Sequence, residues 1–229
     1  MIYLIPSFLS ENAVQTIPPY VMDAVRDCAI IFAENERTAR RFLKSMDKAI
    51  DINSFEWHTI EKDESKTLET FRMKLRKNKN IAIISEAGCP GVADPGQAMV
   101  AEAQQAGVSV KPLVGPNSIL LALMASGMNG QQFSFLGYLP IENVEKIKTI
   151  KKIEEDSFKN KSTQIFIETP YRNNQILESI LQSAKPSTRL CIAVNLTAAE
   201  ESIRTMTISD WTKEKVDLHK RPVIFLLQA

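Results

Sequence analysis

Over its first half the chain alternates short apolar runs with longer amphipathic stretches. Ile2–Ile5 reads as a buried strand, and Pro19–Ala29 as a helix with Val21, Ala24, Val25 and Cys28 on one face. Ala29–Ala33 is a second strand, followed by a charged helix over Asn35–Ser45. Lys62–Lys77 carries Leu68, Phe71 and Leu75 at helical spacing, and Asn80–Ile84 is apolar on both faces, as a central parallel strand should be. A helix over Pro95–Ala106 closes at Gly107 and leads into a strand at Val108–Val114. This rhythm predicts an α/β layer around a mostly parallel sheet, occupying residues 1–115.

The pattern changes after Val114. Gly115-Pro116-Asn117-Ser118 punctuates the chain and opens an apolar helix, Ile119–Ser126. Strand-like runs follow at Phe133–Leu139 and Thr163–Glu168, separated by a highly charged stretch from Glu142 to Lys161. Three more lie at Arg189–Leu196, Ser202–Ile208 and Pro222–Gln228, with only short helical material between them. Residues 116–229 therefore read as a second α/β domain with a mixed sheet.

Composition narrows the partners. With 229 residues, 44% of them hydrophobic and 24% charged, the chain is long enough for one large core or two small ones and too apolar for extensive disorder. A net charge of +1 gives no global pull toward nucleic acid, so any RNA must meet a local basic patch. Cys28, Cys89 and Cys191 are odd in number and widely spaced, and His58 and His219 form no ligand cluster; neither a disulfide framework nor a metal site is expected. The apolar start, Met1–Pro6, is too short and lacks the basic lead of a signal peptide, and no run approaches a membrane span. The expectation is a soluble cytoplasmic protein.

Glycine is the most informative residue. All eight lie between Gly88 and Gly137, and the densest part is Ser85-Glu86-Ala87-Gly88-Cys89-Pro90-Gly91-Val92-Ala93-Asp94-Pro95-Gly96. It follows a buried strand and precedes a helix, where open α/β sheets bind ligands. Glycine admits positive φ and close backbone approach. No Gly-Lys-Ser/Thr is present for a phosphate loop, and no Gly-x-Gly-x-x-Gly for a dinucleotide loop. Lys146, Lys148, Lys151, Lys152, Lys159 and Lys161 are interspersed with Glu145, Glu154, Glu155 and Asp156, which reads as a solvated helix. Met22, Met73, Met99, Met124 and Met128 read as core filling.

Residues 85–96 resemble the Ser-Asp-Ala-Gly-Thr-Pro…Asp-Pro-Gly signature of the small-subunit ribosomal RNA ribose methyltransferases, a branch of the tetrapyrrole methylase superfamily. Further segments match in order. Ala33-Glu34-Asn35-Glu36-Arg37-Thr38 resembles Ala-Glu-Asp-Thr-Arg; Val114–Ser118 resembles the Pro-Gly-Pro segment, with its Ala-x-x-x-Gly turn at Leu123–Gly127. Gly137–Pro140 is similar to Gly-Phe-Leu-Pro, and Glu168-Thr169-Pro170-Tyr171-Arg172 to Glu-Ser-x-His-Arg. The resemblance covers nearly the whole chain.

That resemblance implies two α/β domains with S-adenosylmethionine in the cleft between them, no metal, a homodimer, and ribosomal RNA or the small ribosomal subunit as partner. By carry-over, Ala87, Gly88, Cys89, Gly91 and Val92 meet the cofactor, with Asn117 and Ser118 on the opposite wall and Glu168, Thr169 and Pro222 near the adenosine. Glu34 and Glu86 are the candidate bases for a ribose hydroxyl, and Arg37 and Arg172 the candidate phosphate anchors. Three departures stand out: Pro6-Ser7-Phe8-Leu9-Ser10-Glu11-Asn12 replaces a glycine-containing loop on the acceptor side, Glu86 replaces an aspartate, and Val194–Ala198 replaces Arg-Glu-Leu-Thr-Lys. They leave open a tetrapyrrole or other small-molecule acceptor, or a cofactor-binding protein that has lost transfer.

Overall fold

In a computed structural model, which describes residues 1–61 and 64–229, the chain clusters into two compact units, Met1–Asn117 and Ser118–Ala229. The first unit runs β1 (Ile2–Ile5), α1 (Tyr20–Arg26), β2 (Ile30–Ala33), α2 (Glu36–Met46), β3 (Glu56–Thr59), α3 (Glu64–Leu75), β4 (Ile81–Ile84), α4 (Gln97–Gln105) and β5 (Val110–Pro112). Lys62 and Asp63, the predicted start of α3, lie outside the described residues. All pairings are parallel, in the order β3-β2-β4-β1-β5.

Alternation along the three central strands explains the layers. Tyr3, Ile5, Ile31, Ala33, Ala82 and Ile84 face one core with α1 and α2; Ile2, Ile30, Phe32, Ile81 and Ile83 face the other with Phe71 of α3 and Met99 and Ala103 of α4. Both faces are covered, which is why these strands read as unbroken apolar runs. The connections from β1 and from β4 leave in opposite directions along the sheet, so the switch point lies between these two neighbours.

The second unit runs α5 (Ser118–Ser126), β6 (Phe133–Tyr138), α6 (Asn143–Asn160), β7 (Thr163–Ile167), α7 (Asn173–Ser183), β8 (Arg189–Val194), β9 (Ser202–Thr207), α8 (Ile208–Trp211) and β10 (Val223–Gln228). Its sheet is mixed, as expected: β6 and β7 are parallel, and β10 pairs antiparallel with both β7 and β8 in the order β6-β7-β10-β8-β9. Phe166 and Phe225 stack at 5.7 Å in a core shared with Ile150, Ile176, Ile180 and Trp211.

Two sequence expectations need correction. Met22, Met99 and Met128 are core residues, but Met73 and Met124 are exposed, the latter at 80%. The charged stretch 142–161 is a helix, α6, yet not a wholly solvated one. Glu154 is buried and accepts from the Lys185 backbone N–H at 2.7 Å and from the Thr188 hydroxyl, fixing the turn into β8. A buried carboxylate is tolerable when it is hydrogen-bonded in this way.

Candidate functional site at the strand ends

In the first unit the loops after β1, β2 and β4 meet because their strands are neighbours. Ser7 and Gly88 form an isolated antiparallel bridge, Ser7 N–H donating to Gly88 O at 2.9 Å and Gly88 N–H to Ser7 O at 3.2 Å. The buried Ser7 hydroxyl also donates to Ser85 O at 2.9 Å. Gly88 has φ of 76°, and a Cβ there would lie 3.3 Å from Leu9 Cδ2 and 3.6 Å from Pro116 O. Gly91, at φ 78°, would meet only Gln97 N at 4.0 Å, so its main chain faces open space. Cys89 donates from Sγ to Pro116 O at 3.5 Å and is hydrogen-bonded to the Asn117 side chain; burial nevertheless raises its thiol pKa, so it is no ready nucleophile.

Gly115 has a role the sequence reading missed. A Cβ on it would fall 2.1 Å from Pro6 Cβ, so only glycine lets the chain leaving β5 pass the chain leaving β1. The ends of β1, β4 and β5 are thereby held together around one glycine-lined turn.

Three carboxylates surround this turn. The Glu86 backbone N–H donates to Glu34 Oε2 at 3.2 Å, and the Thr38 hydroxyl to Glu86 Oε1 at 3.4 Å. Asp94, not singled out from the sequence beyond its place in the motif, has its pKa pushed up to about 7 by burial first, then by the negative charges of Glu34 and Glu86. The structure thus brings Glu34 and Glu86 together. Glu34 is engaged with a backbone amide, whereas Glu86 lines a pocket of about 350 Å³ with Ser7, Phe8, Thr38, Arg41 and Phe42. Arg37 is exposed on α2, one helical turn before Arg41, and neither has an ion-pair partner among the described residues. Val92 is exposed at 44% beside Ala93, which sits at φ 61°.

In the second unit β7 and β10 pair up to Ile167 and Ile224, so the loop after β7 lies beside the segment entering β10. Glu168 is buried. Its Oε1 accepts from Thr169 N–H at 2.6 Å and from Arg172 Nε and Nη2 at 3.0 and 2.6 Å. Arg172, a candidate phosphate anchor, therefore has most of its guanidinium committed to Glu168. Pro222 O accepts from Asn195 N–H at 3.0 Å. Glu168, Thr169 and Pro222 thus share one end of the sheet, and Ser118 opens α5. Among the described residues, no group of three or more His, Cys, Asp or Glu is placed to hold a metal ion, and no helix is long and apolar enough to cross a membrane.

The chain is similar to known proteins throughout this architecture. It is 28% identical to the ribosomal RNA small subunit methyltransferase I of Escherichia coli O157:H7 over 100% of this chain and 77% of that protein. It is 30% identical to the protein of the same name from Bacillus subtilis (strain 168) over 93% of this chain and 70% of that protein. Among solved structures, a uroporphyrin III C-methyl transferase from Thermus thermophilus superposes with a TM-score of 0.61 at 13% identity, covering 99% of this chain and 96% of that one. The methyltransferase CobJ superposes with a TM-score of 0.60 at 17% identity, over 93% and 88%. Residues 14–212 match the tetrapyrrole (corrin/porphyrin) methylases, and the chain belongs to that family of S-adenosylmethionine-dependent methyltransferases.

Proposed function

We propose that this protein transfers a methyl group from S-adenosylmethionine to a ribose 2′-hydroxyl of small-subunit ribosomal RNA. The observation that carries the reading is the turn at Ser7 and Gly88, which sets open main chain at the sheet's switch point next to a pocket bearing Glu86. The names of the relatives support the RNA acceptor. The residues fit the cofactor: Gly88 and Gly91 have positive φ and no Cβ in the way, as a ligand against the backbone requires.

When bound, S-adenosylmethionine supplies an electrophilic sulfonium methyl. Within the first unit Ala87, Gly88, Cys89, Gly91, Val92 and Asn117 would hold it; within the second, Ser118, Glu168, Thr169 and Pro222 are the candidate cofactor residues. Glu86 accepts the proton of the incoming hydroxyl, with the Thr38 hydroxyl orienting its carboxylate. Glu34 holds the Glu86 backbone. Asp94 titrates near neutrality, so it carries a proton for part of the time and relieves the repulsion on its two neighbours. Arg37 meets a backbone phosphate. Alignment of the acceptor accounts for roughly 7–11 kcal/mol of barrier reduction in reactions of this kind. A cytoplasmic homodimer is the assembly we propose.

Incubation with radiolabelled S-adenosylmethionine and separate pools of small ribosomal subunits, naked RNA and small-molecule extract tests this reading. Label should appear in small-subunit RNA and survive base removal as a methylated ribose. Label confined to the small-molecule pool would overturn the acceptor.

A further inference from the structure

The loops joined at the β7–β10 end carry a second feature, beside the residues proposed for the cofactor. Tyr171 is 69% exposed, with His219 edge-on at 5.9 Å and 72° and Lys220 Nζ 6.0 Å from the ring centroid. His219, Lys220 and Arg221 are consecutive and exposed, and Lys220 Nζ has no ion-pair partner among the described residues. The one acid of this loop, Asp217, accepts from Asn174 Nδ2 at 2.9 Å and from the His219 backbone N–H at 3.0 Å.

The loop is held in an unfavourable shape. Lys220 sits at φ 59°, a left-handed conformation uncommon outside glycine and asparagine. Its N–H donates to Pro170 O at 2.9 Å, Leu218 N–H to Asn174 Oδ1 at 2.8 Å, and Asn173 Nδ2 to Arg221 O at 2.7 Å. Asn173 is fully buried, and its Oδ1 lacks a hydrogen-bond partner. Two small penalties are thus tolerated to keep Tyr171, Lys220 and Arg221 fixed and facing solvent. Strain that the surroundings over-determine clusters at functional sites.

We infer that Tyr171 is a stacking platform for an unpaired base of single-stranded RNA, with Lys220 and Arg221 holding the adjoining phosphates. An exposed ring beside exposed cations is the chemistry that recognises unstacked nucleotides, since the ring takes any base and the cations take the backbone. The inference rests on the reading that the methyl acceptor is RNA. It also answers the charge problem: a chain of net charge +1 needs a local basic patch to hold RNA.

The test is fluorescence anisotropy of a labelled single-stranded RNA oligonucleotide with the full chain. Tyr171→Ala should weaken binding about tenfold, within the usual range for loss of one base stack, while Tyr171→Phe retains it. Lys220→Asn, which tolerates the left-handed backbone, should weaken binding and flatten its dependence on log salt by about 0.7. S-adenosylmethionine affinity, measured by calorimetry, should not change in either variant. An absence of RNA binding by the parent chain, or unchanged RNA affinity in Tyr171→Ala, would overturn the platform. So would a fall in cofactor affinity with RNA affinity intact, which would assign the ring to the adenosine instead. The proposed function fails separately: a chain that binds RNA through Tyr171 but methylates none refutes the function and leaves the platform standing.

Discussion

Asp94 illustrates how one residue's surroundings set its chemistry. Its folded pKa of about 7 lies above the ordinary 3.8, so the folded state binds more protons than the unfolded one between those values. Asp94 therefore favours folding most fully below about pH 4 and loses that contribution as pH rises through about 7. Asp94→Asn should raise the melting temperature most at pH 8, less at pH 5 and little at pH 4; an equal shift at pH 8 and pH 4 would show that Asp94 is not the titrating group. Gly88 is the second such residue. Gly88→Val places a β-branched side chain at φ 76° against Leu9 and over the backbone proposed to meet the cofactor. We expect a folded, less stable protein with no measurable S-adenosylmethionine binding. Parent-like affinity in that variant would reduce the loop to a plain turn.

At the scale of elements, strands with two covered faces were the easiest to read, because burial writes itself into unbroken apolar runs such as Ile81–Ile84. The edge strand β3, Glu56-Trp57-His58-Thr59, carries no such signal. It is a strand because Ile30–Ala33 pairs with it, because His58 stacks on Phe32 at 4.8 Å, and because Lys74 pairs with Glu56. The helix α7 went unread among the strands of the final third, although Ile176, Leu177 and Ile180 repeat at helical spacing. In the candidate site, the glycine cluster, Glu34 and Glu86 were legible from the motif. The perturbed Asp94 and the role of Gly115 were not, since both depend on neighbours distant in sequence. Gly115 yields the element-scale prediction. Gly115→Ala sets a Cβ 2.1 Å from a ring carbon of Pro6, which cannot rotate away, so the ends of β1 and β5 must separate. Overpacking of this kind costs about 1–3 kcal/mol. Chemical denaturation should register that loss together with weaker cofactor binding; an unchanged midpoint would mean the loop yields freely.

For the whole molecule, the ends of β1 and β4 and the loop before α2 build one wall of chemistry from segments far apart in the chain, and on the proposed function their fit sets how fast a ribose would be methylated. Cofactor binding should be ordinary: at 100 times its dissociation constant S-adenosylmethionine should stabilise by about 2.7 kcal/mol. For a chain of this size that is a melting shift of roughly 5–11 °C. The proposed acceptor side differs. Phe8 packs edge-on against Phe42 at 5.0 Å, and Leu9 reaches to Gly88, so the wall of the 350 Å³ pocket is bulky and braced where the family pattern that the sequence resembles has a glycine-containing loop. A nucleotide displaced by about 1 Å from its best alignment loses about a hundredfold in rate. Against a typical turnover near 10 per second, transfer to the ribose of intact small subunits should run at about 0.1 per second or below. Phe8→Gly should raise that rate without tightening S-adenosylmethionine, because Phe8 lines the pocket rather than the glycine turn. Brisk transfer by the unaltered chain, or a Phe8→Gly variant no faster than its parent, would show that this wall does not limit the acceptor.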